Sequence, residues 1–262
     1  MARSGKSHAR PGKSGRDASS RRSGKGGKPA ASVVGAGTSG GKGGRSPRRP
    51  PASAAPPEAP AAPEIAGPFR LGAIPGATPG KWISAWRDRV PGVQLELLPL
   101  EVADQRRALV DGEVDAALVR LPIDRDDLHV IPLYDEVPVV VMAAESHLTA
   151  ADDLGTDDLA GEIVIAARDD VLGVRIPDAV APTFTPPADT AEAIATVAAG
   201  VGIVVVPMSL ARLHHRKDVE HRPLRDGPVS TVAVAWVAER TTPAVETFVG
   251  IVRGRTANSS RG

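Results

Sequence analysis

The 262-residue chain has no cysteine. That excludes a disulfide framework and any thiolate-ligated metal or haem. No run of about 18 apolar residues occurs, so no membrane-spanning helix is expected. The basic N-terminus is not followed by an apolar stretch, so it does not read as a secretory signal. These absences together lead to the expectation of a cytoplasmic protein. Tyrosine occurs once, at Tyr134, and the six histidines are scattered. The pair His214–His215 is adjacent, so its side chains diverge, and it reads as a solvated helix end. No nucleophile elbow and no glycine-rich loop in folded context is found. No catalytic, metal or cofactor site is expected.

The net charge of +1 conceals two unlike segments. Residues 1–66 carry 13 Lys/Arg against 3 Asp/Glu, a net of +10, and the remainder carries 19 against 28, a net of −9. In 1–66 the only branched aliphatics are Val33, Val34 and Ile65. So little apolar surface cannot offset the entropy of ordering, and a disordered basic tail is expected. Its run Arg45-Ser46-Pro47-Arg48-Arg49-Pro50 suits non-specific contact with nucleic-acid phosphates or an acidic partner. The alternative is a solvated linker. Gly12-Lys13-Ser14 lacks the preceding glycine and strand of a phosphate loop.

From Phe69 the pattern becomes globular. Phe69 to Ile74 reads as a strand, broken by Pro75-Gly76, and Thr78-Pro79 opens a helix through Trp82 and Trp86. Thr78 is expected as the N-cap with Pro79 at the first helical position. Val93–Leu98 and Val114–Leu121 read as strands, with a helix over Glu101–Val110 between them, so 69–121 is β-α-β-α-β. Two further apolar runs follow at Leu128–Leu133 and Val137–Ala144. Pro138 puts the second at an edge or just after a bend. A short helix is expected over Asp152–Leu159, and a strand over Ile163–Ala167. Asp189-Thr190-Ala191-Glu192 forms a capping box. Gly202–Val206 and Thr231–Val237 read as strands, and Pro243–Val252 as a last helix. Two α/β lobes with the chain crossing twice are expected, the crossings falling near Ala143–Ala144 and Pro223–Val232.

These runs, in order, resemble a known family. LGAIPG, VPGVQLELLP, LVDGEVDAALVRLP, AAGVGIVVVPMS and VAVAW are similar to the effector-binding domain of LysR-type transcriptional regulators. Pro132-Leu133 with Glu136, His147-Leu148 and Ala235-Trp236 add to the likeness, although Leu148-Thr149 departs from the usual loop. The resemblance covers about residues 67–255. It implies the two-lobed type II periplasmic-binding-protein fold, an α/β architecture with an inter-lobe cleft. The expected division is a tail over 1–66, the effector domain over 67–257 and a disordered end at 258–262. Lobe I would hold about 69–143 and 232–255, and lobe II about 144–231. Such regulators begin with a winged helix-turn-helix, and residues 1–66 have no helical apolar period to match it.

The resemblance implies a small organic anion as effector, bound between the lobes. One wall would be Pro75, Gly76, Ala77 and Thr78, at a helix start whose backbone N–H groups favour an anion. Arg120 and Leu121 end the third strand, and Arg168 and Asp169 end a strand of the second lobe, where α/β sheets place ligands. A guanidinium there can hold a carboxylate with two hydrogen bonds. It can equally pair locally, Arg120 with Asp124 or Asp126, and Arg168 with Asp169 or Asp170. Val205 and Pro207 would supply an apolar wall. Trp82 and Trp86 are core residues or part of a homodimer surface. The expected function is ligand sensing in transcriptional regulation, without enzymatic activity. The alternatives are a nucleic-acid accessory protein acting through the tail, or an enzyme on the same fold.

Overall fold

The computed structural model describes Ile65 and residues 67–254, all within one compact unit, Glu58–Gly262. The expectations for the basic tail, including Arg45, Arg48 and Arg49, and for 258–262 lie outside the described residues.

Strand β1 (Phe69–Ala73) runs into helix α1 (Gly80–Arg89), then β2 (Leu95–Pro99), α2 (Gln105–Val110) and β3 (Ala116–Arg120). The parallel pairing expected for these three strands is present: β1 pairs parallel to both β2 and β3. β4 (Leu128–Glu136) and the late β8 (Ser230–Val237) complete a mixed sheet in the order β2-β1-β3-β8-β4. β3 reads AALVR with every residue buried, because both faces of the sheet are covered. On one face Phe69, Leu71 and Leu118 meet Trp86 of α1 and Phe248 of α5 (Pro243–Val252). Trp86 stacks on Phe69 at 4.8 Å between ring centroids and donates its indole N–H to the Val93 carbonyl at 3.0 Å. On the other face Ala117, Val119, Ala233 and Ala235 pack under Leu109 of α2.

The second lobe is built on β5 (Pro138–Ala143), flanked by β6 (Val204–Pro207) and β7 (Val219–Pro223), both antiparallel to it. α3 (Thr190–Ala198) and α4 (Met208–Leu213) complete it. Val139 and Val141 face α3, and Val140 and Met142 face Leu154, Leu159 and Leu224. Because β5 is buried on both sides within this sheet, the first crossing lies at Val137, earlier than the expected Ala143–Ala144. The return crossing lies between Leu224 and Ser230. Pro138 begins the central strand directly after the crossing, where its missing N–H breaks no ladder.

Two expected elements are weaker than their sequences suggested. Over 152–159 only Thr156–Leu159 is helical, as a single 3₁₀ turn. Ile163–Ala167 makes isolated bridges, Ile163 to Val180 and Val164 to Ile203, and no ladder. Its neighbour in sequence, 177–187, carries Pro177, Pro182, Pro186 and Pro187, which cannot donate to one.

Candidate functional site

Arg120 is the last residue of β3 and only 2% exposed. Its backbone is held by Gln105, which accepts from the Arg120 N–H at 2.8 Å and donates to the Arg120 carbonyl at 2.9 Å. In the neighbouring ladders Val232 stands opposite Arg120, and Ser230, two residues along β8 on the same face, stands opposite Glu136 of β4. Three strands therefore bring three polar side chains together at one end of the sheet. The Arg120 Nη1 donates to Glu136 Oε2 at 2.7 Å and to the Ser230 hydroxyl. Glu136 is the last residue before the first crossing, and Ser230 the first strand residue after the second. The Nε and Nη2 of Arg120 are buried with no acceptor among the described residues. Together they form one edge of the planar guanidinium, the edge that matches both oxygens of a carboxylate.

Arg120 lies in the wall of an inter-lobe cavity of about 680 Å³. The first lobe contributes Pro75, Glu101, Val102, Asp104, Arg120 and Leu121, and the second contributes Arg168 to Val171, Asp189, Leu210 and His214. The start of α3 is filled by the protein's own carboxylates. Asp189 accepts from the Glu192 N–H at 2.8 Å, and Glu192 reaches back to the Ala188 N–H at 2.6 Å. Asp169 accepts from the Thr190 N–H at 3.1 Å and the Thr190 hydroxyl at 3.0 Å. Asp170 accepts from the N–H groups of Leu172 and Gly173. The local pairings open to the two arginines are not the ones formed. Asp169 and Asp170 are engaged with backbone, Asp124 pairs with Arg106 at 3.2 Å, and Arg120 has found Glu136. Among the described residues Arg168 makes no ion pair.

The loop after β1 separates this cavity from a second one of about 660 Å³, lined by Gly76, Ala77, Thr78, Tyr134, Glu136, Met208, Ser209 and Arg212. Gly76 has φ +83, and a Cβ there would stand 2.9 Å from Ser209 Cβ of the other lobe. Glycine is thus required both by the backbone and by the lobe contact. Burial, and secondarily the nearby Glu136 charge, push the Tyr134 hydroxyl above its ordinary value.

The expected site residues therefore divide. Pro75, Arg120, Leu121, Arg168 and Asp169 line the first cavity, whereas Gly76, Ala77 and Thr78 line the second. Thr78 is not the cap of α1. That position belongs to Pro79, whose carbonyl accepts from Trp82 and Ile83, and no side chain among the described residues caps the helix. Val205 and Pro207 line neither large cavity. Their strand faces the core on both sides, and they border a crevice of about 10 Å³, room for about one water. Glu136, Ser230 and Gln105 were not anticipated as site residues. They are separated from Arg120 by 16, 110 and 15 positions, so no local spacing marks them. Among the described residues no group of three His, Cys, Asp or Glu is arranged to hold a metal.

Two α/β lobes, crossed twice by the chain and enclosing a polar cleft, define the class of two-lobed ligand-binding domains. Within that class the chain belongs to the LysR substrate binding domain family, whose model matches residues 62–257. It is similar to the HTH-type transcriptional regulator CatR of Pseudomonas putida, at 28% identity over 61% of this chain and 58% of that regulator. It is also similar to the Hca operon transcriptional activator HcaR of Escherichia coli K12, at 24% identity over 72% of this chain and 68% of the activator. The chain thus spans roughly three-fifths of the length of these relatives. Among solved structures, the reduced form of the OxyR regulatory domain from Pseudomonas aeruginosa aligns with a TM-score of 0.58 at 27% identity, over 73% of this chain and 97% of that domain. The effector binding domain of a BenM variant shares the fold, with a TM-score of 0.60 at 20% identity, over 74% of this chain and 97% of that one.

Proposed function

We propose that this domain senses a small molecule bearing a carboxylate, which enters the 680 Å³ cavity and sets its two oxygens on the free edge of Arg120. The observation that carries this reading is that unpaired edge. Two buried N–H donors without an acceptor are costly, and a ligand oxygen relieves the cost. The same guanidinium touches Glu136 and Ser230, at the two crossings. A ligand that pulls on Arg120 therefore changes the balance between arrangements of the lobes, to the extent that it binds one better than the other. The named relatives are transcriptional regulators. By that likeness the domain reports ligand occupancy in transcriptional control and does no chemistry on the ligand. With no cysteine in the chain, the response does not run through thiol–disulfide exchange.

The test is thermal melting against a panel of aliphatic and aromatic carboxylates. At one hundred times its dissociation constant a bound ligand stabilises by about 2.7 kcal/mol, which for a domain of this size is a rise of roughly 5–10 °C. A flat response across the panel refutes the reading.

A further inference from the structure

The charges around the cavity narrow the ligand further, granted that the cavity is the binding site. Arg120 is compensated by Glu136, and Asp104 by Arg107 at 3.2 Å. Glu101, Asp169, Asp170 and Asp189 remain, and none of them stands within 4.0 Å of a cationic side chain among the described residues. Three of these carboxylates are held by backbone N–H groups, which fix their positions and leave their negative charge uncancelled. Arg168 and His214 line the same cavity, on the second lobe. Counting the carboxylates and the guanidinium alone, four unpaired carboxylates stand against one unpaired cation, an excess of three negative charges. Among the described residues two groups of this lining favour an anion: the buried Nε–Nη2 edge of Arg120 in the first lobe, and Arg168 in the second, where it stands among three aspartates that outweigh it.

A plain carboxylic acid satisfies that edge and is repelled by the rest of the lining. A dicarboxylic acid fares worse, because its second charge faces the acidic wall of the second lobe. A simple amine suits the wall and leaves the Arg120 edge empty. We infer that the cavity takes a small zwitterion of the amino-acid type. Its carboxylate lies on Arg120, and its ammonium group points at the carboxylates of Asp169, Asp170 and Asp189. Such a ligand bridges the lobes with charges of opposite sign, so it draws them together with no net charge to bury. Its carboxylate would use the Nε–Nη2 edge and leave the Glu136 and Ser230 contacts on Nη1 intact.

The experiment is a matched five-carbon series applied to the full chain by thermal melting: 5-aminopentanoate, pentanoate, glutarate and pentylamine, with shorter and longer homologues of each and with the common α-amino acids. The expected result is that an amino acid raises the midpoint more than the matched monocarboxylate, dicarboxylate or amine at equal concentration. Asp189→Asn keeps a competent helix cap while removing one charge of the wall. In that variant the preference for the zwitterion over the monocarboxylate should fall by roughly two- to fivefold in affinity, the range of a partly exposed ion pair. If plain acids stabilise as well as or better than amino acids, the zwitterion is refuted while the sensing cavity stands. If no member of the series, and none of the wider carboxylate panel, moves the midpoint, both are refuted. If the preference exists and is unchanged in Asp189→Asn with the fold intact, the placement of the ammonium group is refuted.

Discussion

Replacing Glu136 by Gln tests the centre of the site with almost no change of volume. Arg120 is 2% and Glu136 8% exposed, at 2.7 Å, so water cannot take over the role of the missing charge. The substitution leaves a guanidinium buried beside a neutral amide and the Ser230 hydroxyl, with Nε and Nη2 still unpaired. Removing one member of such a pair costs about 3–5 kcal/mol. At 2–4 °C per kcal/mol for a domain of this size, the midpoint should fall by roughly 6–20 °C. Replacing both members, Arg120→Met with Glu136→Leu, removes the buried charge altogether and should recover most of that loss. It should also abolish the response to carboxylates. Urea and thermal unfolding followed by circular dichroism give both numbers. A Glu136→Gln midpoint within about 2 °C of the parent would show that the pair is not sealed from water. A double variant as unstable as the single would show that the loss came from packing and not from an uncompensated charge.

Two further predictions concern the lobe contact and the pH response. Gly76→Ala forces a side chain into a left-handed conformation and against Ser209, and should cost about 1–3 kcal/mol in urea unfolding. Adding Ser209→Gly removes the obstruction and should return only part of that, since the backbone strain persists. Asp226 accepts from the Thr156 hydroxyl at 2.7 Å and from its N–H at 2.9 Å, which holds its carboxyl below the ordinary value of about 3.8. The stabilisation from this contact is therefore complete above that ordinary value and is lost as the pH falls through the lower folded one. An NMR titration should find the Asp226 midpoint moving up toward the ordinary value in Thr156→Val, and an unmoved midpoint would refute the hydrogen bond as its cause.

The sequence alone carried the elements whose causes are local. The parallel start of the first sheet followed from the alternation of apolar runs with helical spacing between Phe69 and Leu121. The last helix, Pro243–Val252, followed from its amphipathic run, and the structure adds the Thr242 cap and Pro243 at its first position. The cap at Asp189 was visible for the same reason, since Glu192 stands three residues on. The family was legible because many weak turn and strand signals fell in one order. Where signals compete locally, it misled: Thr78 is a favoured cap by type, yet the turn at Ile74–Ala77 sets the helix to begin one residue later.

Tertiary structure decided the site. Arg120 was identifiable as a strand-end cation with two nearby aspartates, but its partner is Glu136, brought close by a ladder in which a strand from the far C-terminus lies between β3 and β4. Pairing across such distances depends on strand order, which residue spacing does not encode. The assignment of β5 to the second lobe, and with it the position of the first crossing, likewise depended on which neighbours that strand found. The Pro75–Thr78 loop is shared between two cavities, and between them it meets the other lobe at Gly76 against Ser209, residues 133 positions apart. The sequence supplied the charges. Folding chose which of them cancel, leaving a buried guanidinium edge without an acceptor among the described residues and a cavity lined by an excess of carboxylates.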